Sequence, residues 1–337
     1  MSTQITLTGI TTTGTPHLGN YVGAIRPAIE ASRNPEGQSF YFLADYHSLI
    51  KCQEPERVNQ SSMEVAAAWL ALGLDTDKAV FYRQSDIPEI LELTWILTCM
   101  TAKGLMNRAH AYKAAVAENE TAGSRDPDQG ITMGLFSYPI LMAADILMFK
   151  ATQVPVGRDQ VQHLEMARDI ALRFNHHYGE LFVPPEAVVD ENTAVLIGLD
   201  GRKMSKSYNN TIPLFLPEKK LRKLIMKIKT DTSPPDAPKD PDRSSLFAIY
   251  QAFADAEAVS DMRRRYAQGI SWGEMKQILF ETINDALEEP RRRYEELIAD
   301  QGHIEAVLQK GARRARETSV SFLARIRHAA GIRPIGK

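Results

Sequence analysis

Through the first two-thirds of the chain, short apolar runs alternate with longer segments whose apolar residues recur at helical spacing. Gln4–Thr8 reads as a strand, followed by a Thr/Gly/Pro loop and a helix from about Leu18 to Ser32. Ser39–Ala44, rich in aromatic residues, is a second strand. Glu56–Leu72 is a helix that stops at Gly73, a residue suited to the position just past a helix end. Ala79–Arg83 is a third strand, and Ser85 or Asp86 is expected to cap the next helix, with Pro88 in its first turn. Further helices fit Tyr138–Phe149 and Gln160–Phe174, with short strands at Val154–Val156 and Ala194–Ile197. The polar Glu118–Gln129 stretch, with Gly and Pro, reads as an exposed loop. Strands alternating with helices predict an α/β fold built on a parallel sheet covered on both faces.

The pattern changes after Lys203–Ser207. Pro234–Asp242 carries four prolines and reads as a linker. Beyond Ser244, Phe247, Tyr250 and Phe253 fall at helical spacing, as do Leu279, Ile283 and Leu287. The expected division is an α/β domain over residues 1–210 and a mainly helical domain over 211–337.

Composition narrows the class. A length of 337 residues suits a large domain plus a smaller one, and 44% apolar with 24% charged residues argues against disorder. Met1–Gly9 lacks the basic and apolar regions of a signal peptide, and no apolar run reaches the ~18 residues of a membrane span. Cys52 and Cys99, far apart in sequence, suit a reducing cytoplasm and argue against a cysteine-built zinc or iron–sulfur site. Residues 211–337 hold 23 Lys+Arg against 18 Asp+Glu, a net of +5, which leaves −7 for residues 1–210. Solvated helix faces would account for this split, and so would an anionic partner for the C-terminal part.

Two stretches carry phosphate chemistry. Thr8-Gly9-Ile10-Thr11-Thr12-Thr13-Gly14-Thr15-Pro16-His17-Leu18-Gly19-Asn20 lies between the first strand and first helix, at the sheet edge where open α/β folds bind ligands. Gly9 and Gly14 permit close backbone approach, Gly19 leaves room for an adenine ring, and His17 can donate to a phosphate. The stretch contains no Gly-x-Gly-x-x-Gly. The second is Gly201-Arg202-Lys203-Met204-Ser205-Lys206-Ser207, whose two lysines can share one polyphosphate. A lysine pair alone is ordinarily a solvated loop; the five-residue word downstream of His-Leu-Gly-Asn is far more specific.

Together these words resemble the HIGH and KMSKS signatures of class I aminoacyl-tRNA synthetases, which join an amino acid to AMP and then to tRNA on a Rossmann-like domain. Tyr138–Leu147 and Val154–His163, continuing to Asn175, are similar to the bacterial tryptophan branch of that family. Asp145, one carboxylate on an apolar helix, needs a partner in any reading: a nearby Arg, a helix cap, or an indole N–H. The resemblance implies the last.

It further implies tryptophan contacts from Leu7, Gly9, His47, Met142, Ile146, Val154, Val156 and Gln160. ATP contacts are implied for Thr11, Thr12, Thr13, Gly19, Asn20, Gly157, Arg158, Asp159, Val195, Leu196 and the loop Lys203, Met204, Ser205, Lys206 and Ser207. The catalytic set is Lys203, Lys206, His17 and Lys113, the last matching a lysine that reaches ATP in a closed form. Mg²⁺ would arrive with the ATP phosphates rather than in a protein site, and tRNA(Trp) would dock on the basic clusters at Lys219–Lys229, Arg263–Arg265, Arg291–Arg293 and Arg313–Arg316. A homodimer with its interface near residues 85–150 is also implied. His163 has no second His or Cys within a helical turn and reads as structural. The sequence departs from the family at Thr11, where a Gln is common, at Arg158, where a Glu is common, and in a longer 118–130 segment. The alternatives are a tyrosine ligase of the same fold and an RNA-binding relative without catalysis.

Overall fold

The computed structural model describes residues 4–12, 14–33, 37–189 and 196–335; the side chains of Asp159 and Ser207 lie outside the described set. In chain order the elements are β1 (Gln4–Thr11), α1 (Leu18–Asn20), a π-wound turn (Tyr21–Ile25), α2 (Arg26–Ser32), β2 (Gly37–Ala44), α3 (Asp45–Ser48) and α4 (Pro55–Ala71). Next come β3 (Val80–Arg83), α5 (Pro88–Met100), α6 (Lys103–Met106), α7 (His110–Thr121), α8 (Met133–Met148), β4 (Gln153–Pro155), α9 (Val161–Tyr178) and β5 (Glu186–Val188). Helices α10 (Glu218–Ile225), α11 (Ser245–Tyr250), α12 (Ala256–Gln268), α13 (Trp272–Ala299) and α14 (Gln301–Ala329) complete the chain.

The five strands are parallel in the order β3-β2-β1-β4-β5. Strand order reverses between β1 and β4, and open α/β sheets bind ligands at that point, beyond the carboxyl ends of the strands. The loops leaving β1 and β4 therefore flank one crevice. Strand β1 is longer than its apolar pattern suggests, because every residue from Gln4 to Thr11 pairs in register with Gly37–Ala44.

Several local expectations are corrected. Neither Ser85 nor Asp86 caps α5: Gln84–Asp86 form a 3₁₀ turn, and Ile87 takes the cap position without a side-chain bond. Asp45 has recruited the Ser85 backbone N–H instead, at 3.1 Å. Residues 118–121, expected in a loop, complete α7. The helix from Leu18 widens into a π turn just before Pro27, whose ring would otherwise press on the preceding carbonyl row. The expected strand at 194–197 falls partly outside the described residues, and Ile197 makes a single bridge to Lys203. Strand β5 was not anticipated; its three residues alternate exposed and half-buried, too short for a periodic signal.

Buried side chains form three clusters. One lies under α5, α8 and α9 and takes in Ala312, Ala315, Phe322 and Ile326 of α14. A second, on the opposite sheet face, joins Ile25, Trp69 and Phe81 to Ile304 and Leu308, also of α14. The third gathers α10–α13 with Leu18, Val22, Leu196 and Met204. Helix α14 thus closes the edge of the sheet at β3. A Cβ on Gly311 would stand 1.6 Å from the Phe81 carbonyl oxygen, so helix and strand touch backbone to backbone there. Lys310 to Asp77 (2.7 Å), Arg83 to Glu305 (3.0 Å), Arg316 to Glu89 (2.7 Å) and Arg327 to Glu92 tie the same helix down.

Candidate active site

Helix α1 begins with a reciprocal cap. Asn20 N–H donates to His17 Nδ1 at 3.3 Å, and His17 N–H donates to Asn20 Oδ1 at 3.1 Å. With Nδ1 accepting, the ring proton sits on Nε2, which is left as a donor. Burial, and then the Lys206 ammonium, lower the His17 pKa to about 4, so the ring is neutral. A Cβ on Gly19 would lie 3.0 Å from the His17 ring, so that glycine makes room for the imidazole. Gly14 has φ +135°, a conformation that L side chains rarely adopt.

The Lys203–Ser207 loop lies against this turn. Lys206 Nζ donates to the Gly14 carbonyl at 2.8 Å; the side chain as a whole is exposed while its ammonium is tucked in. Burial lowers the Lys206 pKa, with Glu64 opposing the shift and Arg57 adding to it. The following chain pairs with the start of α1: Leu18 N–H donates to Ile212 O at 3.0 Å and Leu214 N–H to Pro16 O at 2.9 Å. Met204 and Leu196 are buried in the third cluster with Leu18, and Met204 N–H donates to Leu196 O at 2.8 Å. Lys203 is exposed and Ser205 half-buried.

Asn210, which no sequence argument singled out, organises the loop. Its buried amide accepts from Ser205 N–H (2.8 Å) and donates to Asp200 Oδ1 (2.7 Å) and Lys203 O (3.0 Å). Gly198 must be glycine because a Cβ would meet that amide at 2.5 Å. The Asn210 bond, followed by the backbone N–H and guanidinium of Arg202, holds the Asp200 carboxyl well below the usual carboxylate range.

Asp145, 1% exposed on α8, lies against residues that follow the carboxyl ends of β2 and β3. Its partner is neither an Arg nor a helix cap. Gln84 Nε2 donates to Oδ1 at 2.8 Å and to Oδ2 at 2.9 Å, and His47 Nε2 lies 2.9 Å from Oδ2. Burial raises the Asp145 pKa, while the His47 and Gln84 bonds pull it back. Gln84 was missed because a lone Gln after a strand has no distinguishing spacing. Leu7, Ile146 and Val154 are buried in the first cluster, with Met142 and Val156 packed against it. His163 is buried and structural: Nδ1 meets Gln160 Oε1 at 2.8 Å and Nε2 meets the Tyr138 hydroxyl at 2.8 Å. That chain orients Gln160 at the mouth of α9.

The remaining candidates are dispersed. Gly9 lies in β1, and the Phe42 ring occupies the space its Cβ would take, at 2.6 Å. Thr11 is exposed at the end of β1, and Thr12 is buried with its hydroxyl 2.7 Å from Ser48 Oγ. Gly157 and Arg158 are exposed where a 3₁₀ turn (Arg158–Gln160) leads into α9, with Asp159 inside that turn; Ser207 sits in a similar turn, Lys206–Tyr208. Lys113 is exposed on α7 and makes no side-chain bond to the signature loop among the described residues. Thr13 and Val195 lie outside the described residues. Among the described residues no group of three or more His, Cys, Asp or Glu could hold a metal, and no helix is long and apolar enough to cross a membrane.

Many of the C-terminal arginines are spent within the chain. Arg263, Arg264, Arg265, Arg292, Arg293 and Arg316 pair with carboxylates, and Arg314 donates to the Thr76 and Ala79 carbonyls.

A parallel sheet with a phosphate-suited turn after β1, closed by a Lys-Met-Ser-Lys-Ser loop, defines a class I nucleotidyl-transferring ligase. A family profile for tRNA synthetases class I (W and Y) matches residues 2–288, and the chain belongs to that family. It is 60% identical over 335 residues to a tryptophan–tRNA ligase of Neisseria meningitidis, covering 99% of this chain and 100% of that one. A tryptophan–tRNA ligase of Pseudomonas aeruginosa is 62% identical over 338 residues, covering 99% of this chain and 75% of the relative. The crystal structure of tryptophanyl-tRNA synthetase from Campylobacter jejuni, complexed with ADP and tryptophan, superposes with a TM-score of 0.88 at 43% identity, covering 97% of this chain and 100% of that chain.

Proposed function

We propose that this chain activates L-tryptophan with ATP, releasing pyrophosphate, and transfers the tryptophanyl group to tRNA(Trp). The observation that carries the reading is the contact of Lys206 with Gly14, which brings the two phosphate-handling stretches together; the buried Asp145, bonded by residues that follow β2 and β3, is taken as the amino-acid end of the same site. The tryptophan carboxylate, already ionised, attacks the α-phosphorus in line, so no general base is needed. Rate comes from positioning and from charge on the departing pyrophosphate. Lys206 and Lys203 supply that charge, His17 Nε2–H donates to a phosphate oxygen, and Mg²⁺ travels with the triphosphate as part of the substrate. Lys113 joins only if α7 or the loop moves toward ATP. The acyl group then passes to the 2′-hydroxyl of the terminal tRNA ribose.

Asp145 accepts the indole N–H, against an apolar wall of Leu7, Met142, Ile146, Val154 and Val156, with Gln160 at the amino acid's polar end. A site built to accept that hydrogen bond rejects phenylalanine strongly, since the buried acceptor would be left unpaired. Residues 1–210 carry this chemistry and residues 211–337 contact tRNA. Lys219, Lys220 and Lys223 of α10 support that assignment, because they enter no ion pair among the described residues. A homodimer is supported by Leu91 and Trp95, one helical turn apart on α5 and respectively 41% and 69% exposed. Two unpaired cysteines, Cys52 and Cys99, fit a reducing cytoplasm. Amino-acid-dependent ATP–pyrophosphate exchange tests the reading. Exchange with tryptophan and background rates with tyrosine are expected; the reverse preference would overturn it.

A further inference from the structure

We infer that Gln84 is a positioning residue for indole recognition: it fixes the orientation of the Asp145 carboxylate and keeps it a hydrogen-bond acceptor. The inference rests on the assignment of the indole N–H to Asp145 made above. Gln84 is 0% exposed and opens the 3₁₀ turn after β3. Its Oε1 accepts the Tyr46 backbone N–H at 3.2 Å, so its NH₂ has to face Asp145, where it bonds both oxygens. His47 reaches Oδ2, and among the described residues Oδ1 is held by Gln84 alone.

That second hold matters because of what surrounds the acid. The groups facing it are His47 on α3, Gln84, the Tyr82 side chain on β3, and Asp45 at the start of α3. Burial favours the protonated acid, and the Asp45 charge pushes the same way; the His47 and Gln84 bonds oppose both. A protonated Asp145 would carry a donor on one oxygen and a weaker acceptor on the other, and so would hold the indole N–H less firmly. The preference for an indole over an isostere without N–H would then weaken. An amide that can only donate from its nitrogen removes that failure without adding a charge.

The test compares tryptophan with 3-benzothienylalanine, in which sulfur replaces the indole N–H, by pyrophosphate exchange in the full-length protein. Gln84→Met keeps the volume and removes the donor. We expect kcat/KM for tryptophan to fall about tenfold or more, that for the sulfur analogue to change less than about twofold, and KM for ATP to stay put. Equal losses for both amino acids would make Gln84 merely structural and overturn the inference. Asp145→Ala separates the two claims. If it abolishes the preference for tryptophan while Gln84→Met retains it, only the role of Gln84 fails. If Asp145→Ala itself retains the preference, the assignment of Asp145 fails. Should the methionine variant not fold, Gln84→Glu serves, since it donates to Asp145 only while the pair holds a proton. Its preference for tryptophan should decline as pH rises, and a preference as flat with pH as that of the parent protein would overturn the inference.

Discussion

The ammonium of Lys206 donates to the carbonyl oxygen of Gly14 across 2.8 Å, joining two loops 192 positions apart. Among the described residues no carboxylate forms an ion pair with this ammonium, so a polyphosphate can take it from the carbonyl without breaking one. Lys206→Ala should slow ATP–pyrophosphate exchange by about 10²- to 10³-fold, the usual loss for one charge-stabilising group at a reacting centre. Tryptophan binding, measured by calorimetry without ATP, should not change. An unaltered exchange rate would show that the contact is a crossing of two surface loops and nothing more.

Asn210 carries the prediction that separates geometry from charge. Both lysines survive in Asn210→Ala, but Ser205 N–H and the Lys203 carbonyl lose the amide that fixes them. The expected result is a KM for ATP raised about tenfold, in line with one or two lost buried hydrogen bonds, with KM for tryptophan unchanged. A normal KM for ATP would mean that the loop is shaped by Met204 packing alone.

Much of this arrangement was legible in the sequence. The β-α alternation gave the parallel sheet, and the words at His17–Asn20 and Lys203–Ser207 marked two loops that the fold brings into contact, because each combines a fixed spacing with a fixed chemistry. Asp145 declared itself as a carboxylate among apolar residues. Its partners did not, since His47 and Gln84 come from other strands' ends, 98 and 61 positions away, and only folding brings them together. The role of α14 was hidden for the same reason. Its apolar stripe says that it packs, while nothing local says that it packs on β3. The basic runs show how little of a pairing pattern is written in a sequence: Arg292 and Arg293 each pair with Glu289 from the preceding turn.

The contact of α14 with β3 makes a stability prediction at one atom. A methyl group on Gly311 would overlap the Phe81 carbonyl, which belongs to a strand paired on its other side with β2 and cannot retreat. Helix propensity alone favours alanine over glycine by ~1 kcal/mol. The clash should outweigh it, because forced overpacking costs ~1–3 kcal/mol and occasionally more. Gly311→Ala is therefore expected to lower the urea midpoint, whereas Gly302→Ala, near the start of the same helix with its nearest neighbour 3.6 Å away, should leave it unchanged or raise it. A rise for Gly311→Ala would mean that the helix shifts freely along the sheet.

His17 gives the pH dependence. Its pKa in the folded protein is about 4, below the ordinary 6.5, because burial and the nearby Lys206 ammonium disfavour the imidazolium. Between these values the unfolded chain binds a proton that the folded one refuses, so stability falls as pH drops from 6.5 toward 4 and is level with respect to this group above 6.5. The loss is at most ~3 kcal/mol, and less where solvent reaches the ring. Protonation would also remove the Nδ1 acceptor that caps α1 through Asn20. His17→Gln keeps a side chain of similar reach but does not titrate, so the difference in urea midpoint between the variant and its parent should shrink on acidification. If the parent and the variant lose stability in parallel down to about pH 4, the imidazole is not held neutral by its surroundings, and its Nδ1 is not the acceptor that caps α1 through Asn20.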